Sequence, residues 1–237
     1  MNRFTKHILA AALTLCLAAS LSACGGGLSK FDATKYVQGV LDENYLGKFD
    51  PDFLEMVEGT ESEAEEIYLG NLEAESNVFA SFFEIDDLSG ELLDDTMALY
   101  KDIYAMSKYS LEPATKVNDE TFAIQVTVEP IDIFHLVYEE IEKEEPTSPA
   151  VQAFVETYGD PDMENMTEAE IDALIDGFDA AYARMCIDLT REMLPKAGYM
   201  EPETVMVQVK LNSDDVWEIP NNDFLSFDNR VIDYNVG

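Results

Sequence analysis

Cations are scarce in this chain: 14 Lys and Arg stand against 49 Asp and Glu in 237 residues, a formal net charge of −35. Nucleic acid is held by Lys and Arg that displace counterions, and so few scattered cations assemble no basic patch, which excludes it as a partner. Histidine and cysteine are sparser still, at two and three, and there is one Trp. A glycine-rich phosphate loop, a nucleophile elbow and a kinase-like residue set are missing from the sequence, which removes the chemistries those motifs serve. The acidic excess does not signal disorder. Apolar residues make up 47% of the chain and aromatics 11%, more than a sequence unable to form a core contains.

The first 24 residues hold the most specific motif. Arg3 and Lys6 form a short cationic start, and Ile8 to Ser20 is an apolar run of about a dozen residues. That is within the roughly 7 to 15 of a signal-peptide core and short of the roughly 20 of a spanning helix. The following Leu21-Ser22-Ala23-Cys24-Gly25 resembles the bacterial lipoprotein lipobox. The resemblance implies a diacylglycerol thioether on Cys24, cleavage before it, and retention on the cell membrane, outside the cytoplasm. Cleavage there removes two cations and no acid, leaving a net charge of −37. Residues 24–30, with Gly25-Gly26-Gly27, are then a lipidated flexible tether. Two acyl chains suffice for anchoring at about 0.8 kcal/mol per buried methylene, while the acidic domain is repelled by anionic headgroups.

With Cys16 and His7 gone and Cys24 acylated, Cys186 and His135 are the sole thiol and imidazole, so an intramolecular disulfide and a His/Cys zinc site are both excluded. Cys186 falls in the apolar run Tyr182, Met185, Cys186, Leu189 and reads as a small buried hydrophobe. His135, inside Ile131-Asp132-Ile133-Phe134-His135-Leu136-Val137-Tyr138, reads as a packing histidine.

Hydrophobic periodicity predicts helices at 31–46 (Phe31, Val37, Val40, Leu41, Tyr45), from Thr60 through Phe83, and after Ser89 through Tyr104. Thr60 with Glu63 forms a capping box. The period then drops to two, predicting a hairpin of strands at 111–117 and 121–129 around Asn118-Asp119. Further helices are expected at 132–144, 149–158 and 168–194. The last opens on a second capping box, Thr167 with Glu170, and carries Ile171, Leu174, Ile175, Phe178, Tyr182, Met185, Leu189 and Met193 on one face, with acids early and Arg184 and Arg191 late, as the macrodipole favours. Val205 to Leu211 and Val216 to Ile219 flank an Asn212-Ser213-Asp214-Asp215 turn, and a short helix at 222–232 ends the pattern. The expected class is α+β: one domain, 31–237, with a four-stranded antiparallel sheet covered on one face by helices. Glu120 to Val126 and Glu203 to Val209 match at Glu, Thr, Gln and Val, which raises a duplication of 31–130 onto 131–220.

The stretch Ala33 to Phe49, reading Ala-Thr-Lys-Tyr-Val-Gln-Gly-Val-Leu-Asp-Glu-Asn-Tyr-Leu-Gly-Lys-Phe, followed by Glu63-Ala64-Glu65-Glu66-Ile67-Tyr68, resembles small uncharacterised lipoproteins of Gram-positive anaerobes, a domain of unknown function. Val128-Glu129-Pro130-Ile131-Asp132 and Trp217-Glu218-Ile219 extend the likeness. It implies a cystatin-like or NTF2-like α+β fold and a lipid in the outer leaflet of a single cytoplasmic membrane, and it brings no catalytic residue.

Carboxylate pairs such as Asp86-Asp87 and Asp94-Asp95 carry little information in so acidic a chain. A glycosidase-like site needs two carboxyls in a cleft, roughly 5 to 9 Å apart. Asp160, Asp162 and Glu164 alternate as calcium ligands do, but Asn165 stands where an EF-hand needs Gly and Ile171 where it needs Glu, so no metal site is assigned. The eleven tyrosines and Trp217 fit core packing better than a ligand-stacking wall. The sequence therefore assigns no catalytic residue, no metal and no cofactor, and Cys24 as the lipidation site. The favoured function is a non-enzymatic module that binds an unidentified protein or small molecule at the cell surface. Its alternatives are a carboxylate-dependent envelope hydrolase and an acidic structural or cation-buffering protein.

Overall fold

The computed structural model describes residues 21–22 and 29–236. The expected leader and residues 23–28, Cys24 included, lie outside the described residues apart from Leu21–Ser22, as do the side chains of Lys30 and Phe31. The last two positions of the expected tether are corrected, since Ser29 caps a helix and Lys30 opens it. The two alternating segments become the long central strands of one antiparallel sheet. β4 (Thr121–Glu129) and β5 (Glu203–Leu211) pair from Thr121 opposite Lys210 to Val128 opposite Glu203. Phe122, Ile124, Val126 and Val128, with Val205, Val207 and Val209, are buried on one face, whereas Gln125 and Met206 are exposed on the other. The sheet is thus covered on one face, as a period of two demands. The two similar heptapeptides lie side by side here, one as the second strand of its hairpin and the other as the first of its own.

The first hairpin begins earlier than its sequence suggests. β2 (Lys108–Leu111) and β3 (Thr115–Asn118) both pair with the free edge of β4, one after the other. Pro113 separates them because it has no N–H to give the ladder. The Glu112 N–H still reaches Gln125 O (2.9 Å), and the Ala114 N–H turns away to Thr34 Oγ1 (2.9 Å) on a helix. At the other edge β6 (Val216–Glu218) pairs with β5, and β1 (Leu21–Ser22) pairs with β6. The β5–β6 turn closes on Asn212, whose Oδ1 accepts from the Asp214 and Val216 amides, with Asp215 at φ 59°.

The helices are α1 (Lys30–Leu41), α2 (Pro51–Met56), α3 (Glu61–Phe83), α4 (Glu91–Tyr104), α5 (Ile133–Ile141), α6 (Pro149–Tyr158), α7 (Glu168–Met193) and α8 (Asn221–Asp228). Both expected capping boxes form, Thr60 with Glu63 and Thr167 with Glu170, and a third, Ser29 with Asp32, opens α1; such caps are each worth about 1 kcal/mol. α2 is an addition to the expected set. Asp50 caps it, accepting from Asp52 and Phe53, and Pro51 takes its first position, where a missing N–H costs nothing. The first expected helix is also corrected: after Leu41 it widens into a π turn, Asp42–Leu46, before Gly47 ends it at φ 56°. The wider turn carries Glu43, Asn44 and Tyr45, all buried.

No helix of the described residues is long and apolar enough to cross a membrane.

Candidate functional site

Two places combine chemistry-bearing side chains with a geometry that core packing does not require. The first is a small polar cavity where the π turn, α3, α4 and α8 converge. Its walls include Asn44, Tyr45, Asn71, Glu75, Tyr104 and Asp228, and its volume is about 30 Å³. Glu75 lies on the inward face of α3 with Leu72, Ser76 and Phe79, all buried. Tyr234 donates to Glu75 Oε2 (3.0 Å), the Tyr100 and Tyr234 hydroxyls are 2.8 Å apart, and Tyr45 donates to Asp228 Oδ1 (2.6 Å). Asn71 donates to Asn44 Oδ1, and Asn44 donates to Val40 O (2.7 Å), which ties α3 to the widened turn.

Burial, and then the charge of Asp228, push the Glu75 carboxyl well above the usual carboxylate range, against hydrogen bonds from Tyr104 and Tyr234. Burial also raises Asp228, opposed by Tyr45. Two carboxyls that share one desolvated cavity resist joint ionisation, so the pair holds a proton. Glu43, buried on the same π turn, is pushed up to about 7 by burial.

These shifts fix a direction of pH dependence. In all three acids the folded state binds the proton more tightly than the unfolded chain. Their contribution to stability is therefore complete below the ordinary carboxylate pKa and is lost as the pH rises through the folded value, from about 4.5 to about 7 for Glu43. Glu43 alone is worth about 1–2 kcal/mol over that window once screening is included. Calorimetry should find a higher Tm at pH 5.5 than at pH 8. Glu43→Gln and Glu75→Gln should each flatten that slope although the remaining surface charge is untouched; a slope identical to that of the parent protein in both variants would contradict the assignment.

A buried acid pair is what the hydrolase reading requires, but this cavity admits one or two waters, whereas ligand pockets occupy roughly 300–1,000 Å³. The geometry supports a proton-holding structural cluster rather than a glycan cleft. Glu75 is not among the acids that the sequence singles out. Its signal was the placement of Glu75 and Ser76 between Leu72 and Phe79 on the apolar arc of α3.

The second place is the pair formed by α6 and the first half of α7. The apolar line on α7 was expected in the core, and its C-terminal half is: Ala183, Met185, Cys186, Ile187, Leu189 and Met193 are buried. The N-terminal half is not. Ile175 is 61% exposed and Phe178 42%, and Val155 on α6 is 50% exposed. Phe154 and Tyr158 of α6 meet Phe178 and Tyr182 of α7 in edge-on and tilted contacts, with ring centroids 5.4–5.9 Å apart between the helices, while Phe154 stacks on Tyr158 and Phe178 on Tyr182 within each helix. These four rings hold the two helices together, and no residue of α7 before Ala183 is buried. The helix leaves the body at about Tyr182 and continues as half of a two-helix arm. Residues 149–182 contain nine acids and no Lys, Arg or His.

The other residues singled out by sequence have structural roles. Cys186 is fully buried, and burial pushes its thiol up to about 12 against a hydrogen bond with Tyr182. His135 is half-buried at the start of α5, with Nε2 3.0 Å from Asp233 Oδ2 of the C-terminal segment. Asp95 pairs with Arg184 and Arg191, joining α4 to α7, while Asp86, Asp87 and Asp94 are not drawn into the cavity. Asp160, Asp162 and Glu164 are exposed, and Asp162 Oδ2 accepts from Asn165 Nδ2 (2.6 Å). Among the described residues no group of three or more His, Cys, Asp and Glu side chains is arranged around a metal position. Tyr36, Tyr45, Tyr68, Tyr100 and Tyr104 are core residues.

No family model and no curated protein matches the chain. Its fold is similar to a solved structure, that of ycdA, a candidate lipoprotein of Bacillus subtilis subsp. subtilis str. 168, with a TM-score of 0.53 at 17% identity. The match covers 83% of this chain and 54% of that one, so the chain spans about half the length of its structural neighbour. The class defined by the fold is an α+β protein with a one-sided antiparallel sheet under helices.

Proposed function

We propose that this protein is a lipid-anchored extracytoplasmic module that acts by binding a partner rather than by catalysis. The observation that carries the binding half is the open apolar face of the arm, Ile175 and Phe178 above all, which a stable helix pair displays to solvent. Exposed apolar surface rimmed by charge marks interaction sites. The anchoring half rests on the lipobox-like Leu21-Ser22-Ala23-Cys24, and the fold shared with ycdA is in keeping with it. The lipid holds the acidic body at the membrane while its charge keeps it off anionic headgroups.

Metabolic labelling with an alkyne fatty acid tests the anchor: label is expected on the parent chain and lost in Cys24→Ser, together with release from the membrane fraction. Retained label in Cys24→Ser would overturn it. A photo-crosslinking residue at Ile175 tests the face. Crosslinked product is expected there and not from Glu65, on the exposed side of α3; equal yields at both sites would remove the arm from the proposal.

A further inference from the structure

The arm differs from an ordinary exposed helix pair in the order of its side chains. On α7 the apolar positions are Ile171, Leu174, Ile175, Phe178 and Tyr182, spaced as one helical stripe. An acid follows three of them by one residue: Asp172 after Ile171, Asp176 after Ile175, Asp179 after Phe178. One residue is a rotation of about 100°, so the carboxylates form a line along one border of the stripe. All three are exposed. None of the arm's nine acids forms an ion pair among the described residues, although Arg184, Arg191 and Lys143 pair elsewhere. A face built this way is half of an interface whose other half is apolar with a line of positive charge.

The same order disfavours the two nearest alternatives. A second copy would set one carboxylate line against another in a chain of net charge −35, and like charges facing across an interface repel. A bilayer would have to take up Ile175 and Phe178 with Asp176 and Asp179 beside them, and charges entering the bilayer are costly. A helix with Lys or Arg flanking an apolar stripe meets both requirements, because ridges of one helix seat in the grooves of another and its cations meet the acid line. The stripe from Ile171 to Tyr182 is 12 residues, about 18 Å long, so a partner helix of about three turns matches it.

We infer that the α6–α7 arm is the docking surface for a cationic amphipathic helix, whose apolar side covers Ile175 and Phe178 and whose Lys or Arg side chains pair with Asp172, Asp176 and Asp179. This rests on the binding reading above and specifies the partner's chemistry.

The test uses the full chain in phosphatidylcholine nanodiscs, with empty nanodiscs subtracted, titrated against fluorescent 14-residue helical peptides. A Leu/Lys peptide of helical period is expected to bind at least tenfold more tightly than its Leu/Gln counterpart and than an oligolysine of equal charge. The affinity should fall severalfold between 50 and 300 mM salt. Ile175→Ser with Val155→Ser, which leaves charge unchanged, should weaken Leu/Lys binding about tenfold, whereas Leu69→Ser, an exposed apolar residue on α3, should not. Asp172→Asn, Asp176→Asn and Asp179→Asn together should weaken Leu/Lys but not Leu/Gln binding. The triple variant keeps the apolar stripe intact, and circular dichroism checks that each variant folds.

Equal binding of Leu/Gln and Leu/Lys would overturn the cationic partner and leave the binding function standing. Oligolysine binding as tightly as Leu/Lys, with no effect of Ile175→Ser, would overturn the docking surface, leaving general charge attraction. Self-association abolished by Ile175→Ser would name a second copy as occupant, and vesicle binding abolished by it would name lipid; either result overturns the proposal.

Discussion

Gly39→Ala is expected to destabilise the protein by about 3 kcal/mol, at the upper end of overpacking costs. Gly39 lies on the face of α1 against which α2 lays the ring of Phe53, and a Cβ there would stand 2.1 Å from Phe53 Cδ2 and 2.2 Å from Cγ. Phe53 is 1% exposed, so the ring has no solvent to move into and the helices must part. The melting temperature should fall by roughly 6–12 °C for a chain of this size. Phe53→Leu costs some core packing alone, yet combined with Gly39→Ala it should recover part of the loss, giving a coupling of about 1 kcal/mol or more in a double-mutant cycle. Additive effects of the two substitutions would show that the close approach is not what fixes α2 in place.

Glu140→Ala should cost about 2–3 kcal/mol, because this carboxylate is the hub of the α5–α6 connection. Its oxygens accept from Lys143 Nζ (2.5 Å), Thr147 N (2.5 Å), Thr147 Oγ1 (2.9 Å) and Ser148 N (2.7 Å), and the side chain is 3% exposed. Removing it leaves the buried Ser148 N–H without an acceptor and unties Thr147 and Lys143 from α5, and an unmade buried bond costs more than the bond contributes on balance. Burial alone would raise its pKa, but Lys143 and the Ser148 and Thr147 donors outweigh burial and lower it to about 2. A depressed pKa places its stabilisation above the ordinary carboxylate range and removes it as the pH falls towards 2, the opposite of Glu43 and Glu75. Stability should therefore peak in weak acid, rising from pH 8 to about 5 and falling below about 4. Chemical denaturation as a function of pH would show this. In Glu140→Ala the acid limb should flatten while the alkaline limb keeps its slope, and loss of both limbs together would assign the profile to net charge instead.

Much of the architecture was written locally. The change of period from 3.6 to two at Phe122, the Thr60 and Thr167 capping boxes and the Asn212 turn each depend on neighbours within a few residues, and each forms as read. α2 was legible too, in Asp50-Pro51, an N-cap followed by a proline suited to a first helical position. The π turn was not, since its widening is repaid only by contacts that Asn44 and Tyr45 make with α3 and α8.

The candidate sites show the same division. The sequence by itself determined which side chains share a helix face, which segments form strands, and that the whole is acidic and poor in thiol and imidazole. Only the tertiary structure decided that Glu75 and Asp228, among 49 acids, face each other across a cavity, and that one stripe on α7 is core after Ala183 and open before it. The physical reason is range. Periodicity records the spacing of apolar residues along one element, whereas burial depends on whether a distant element covers that face.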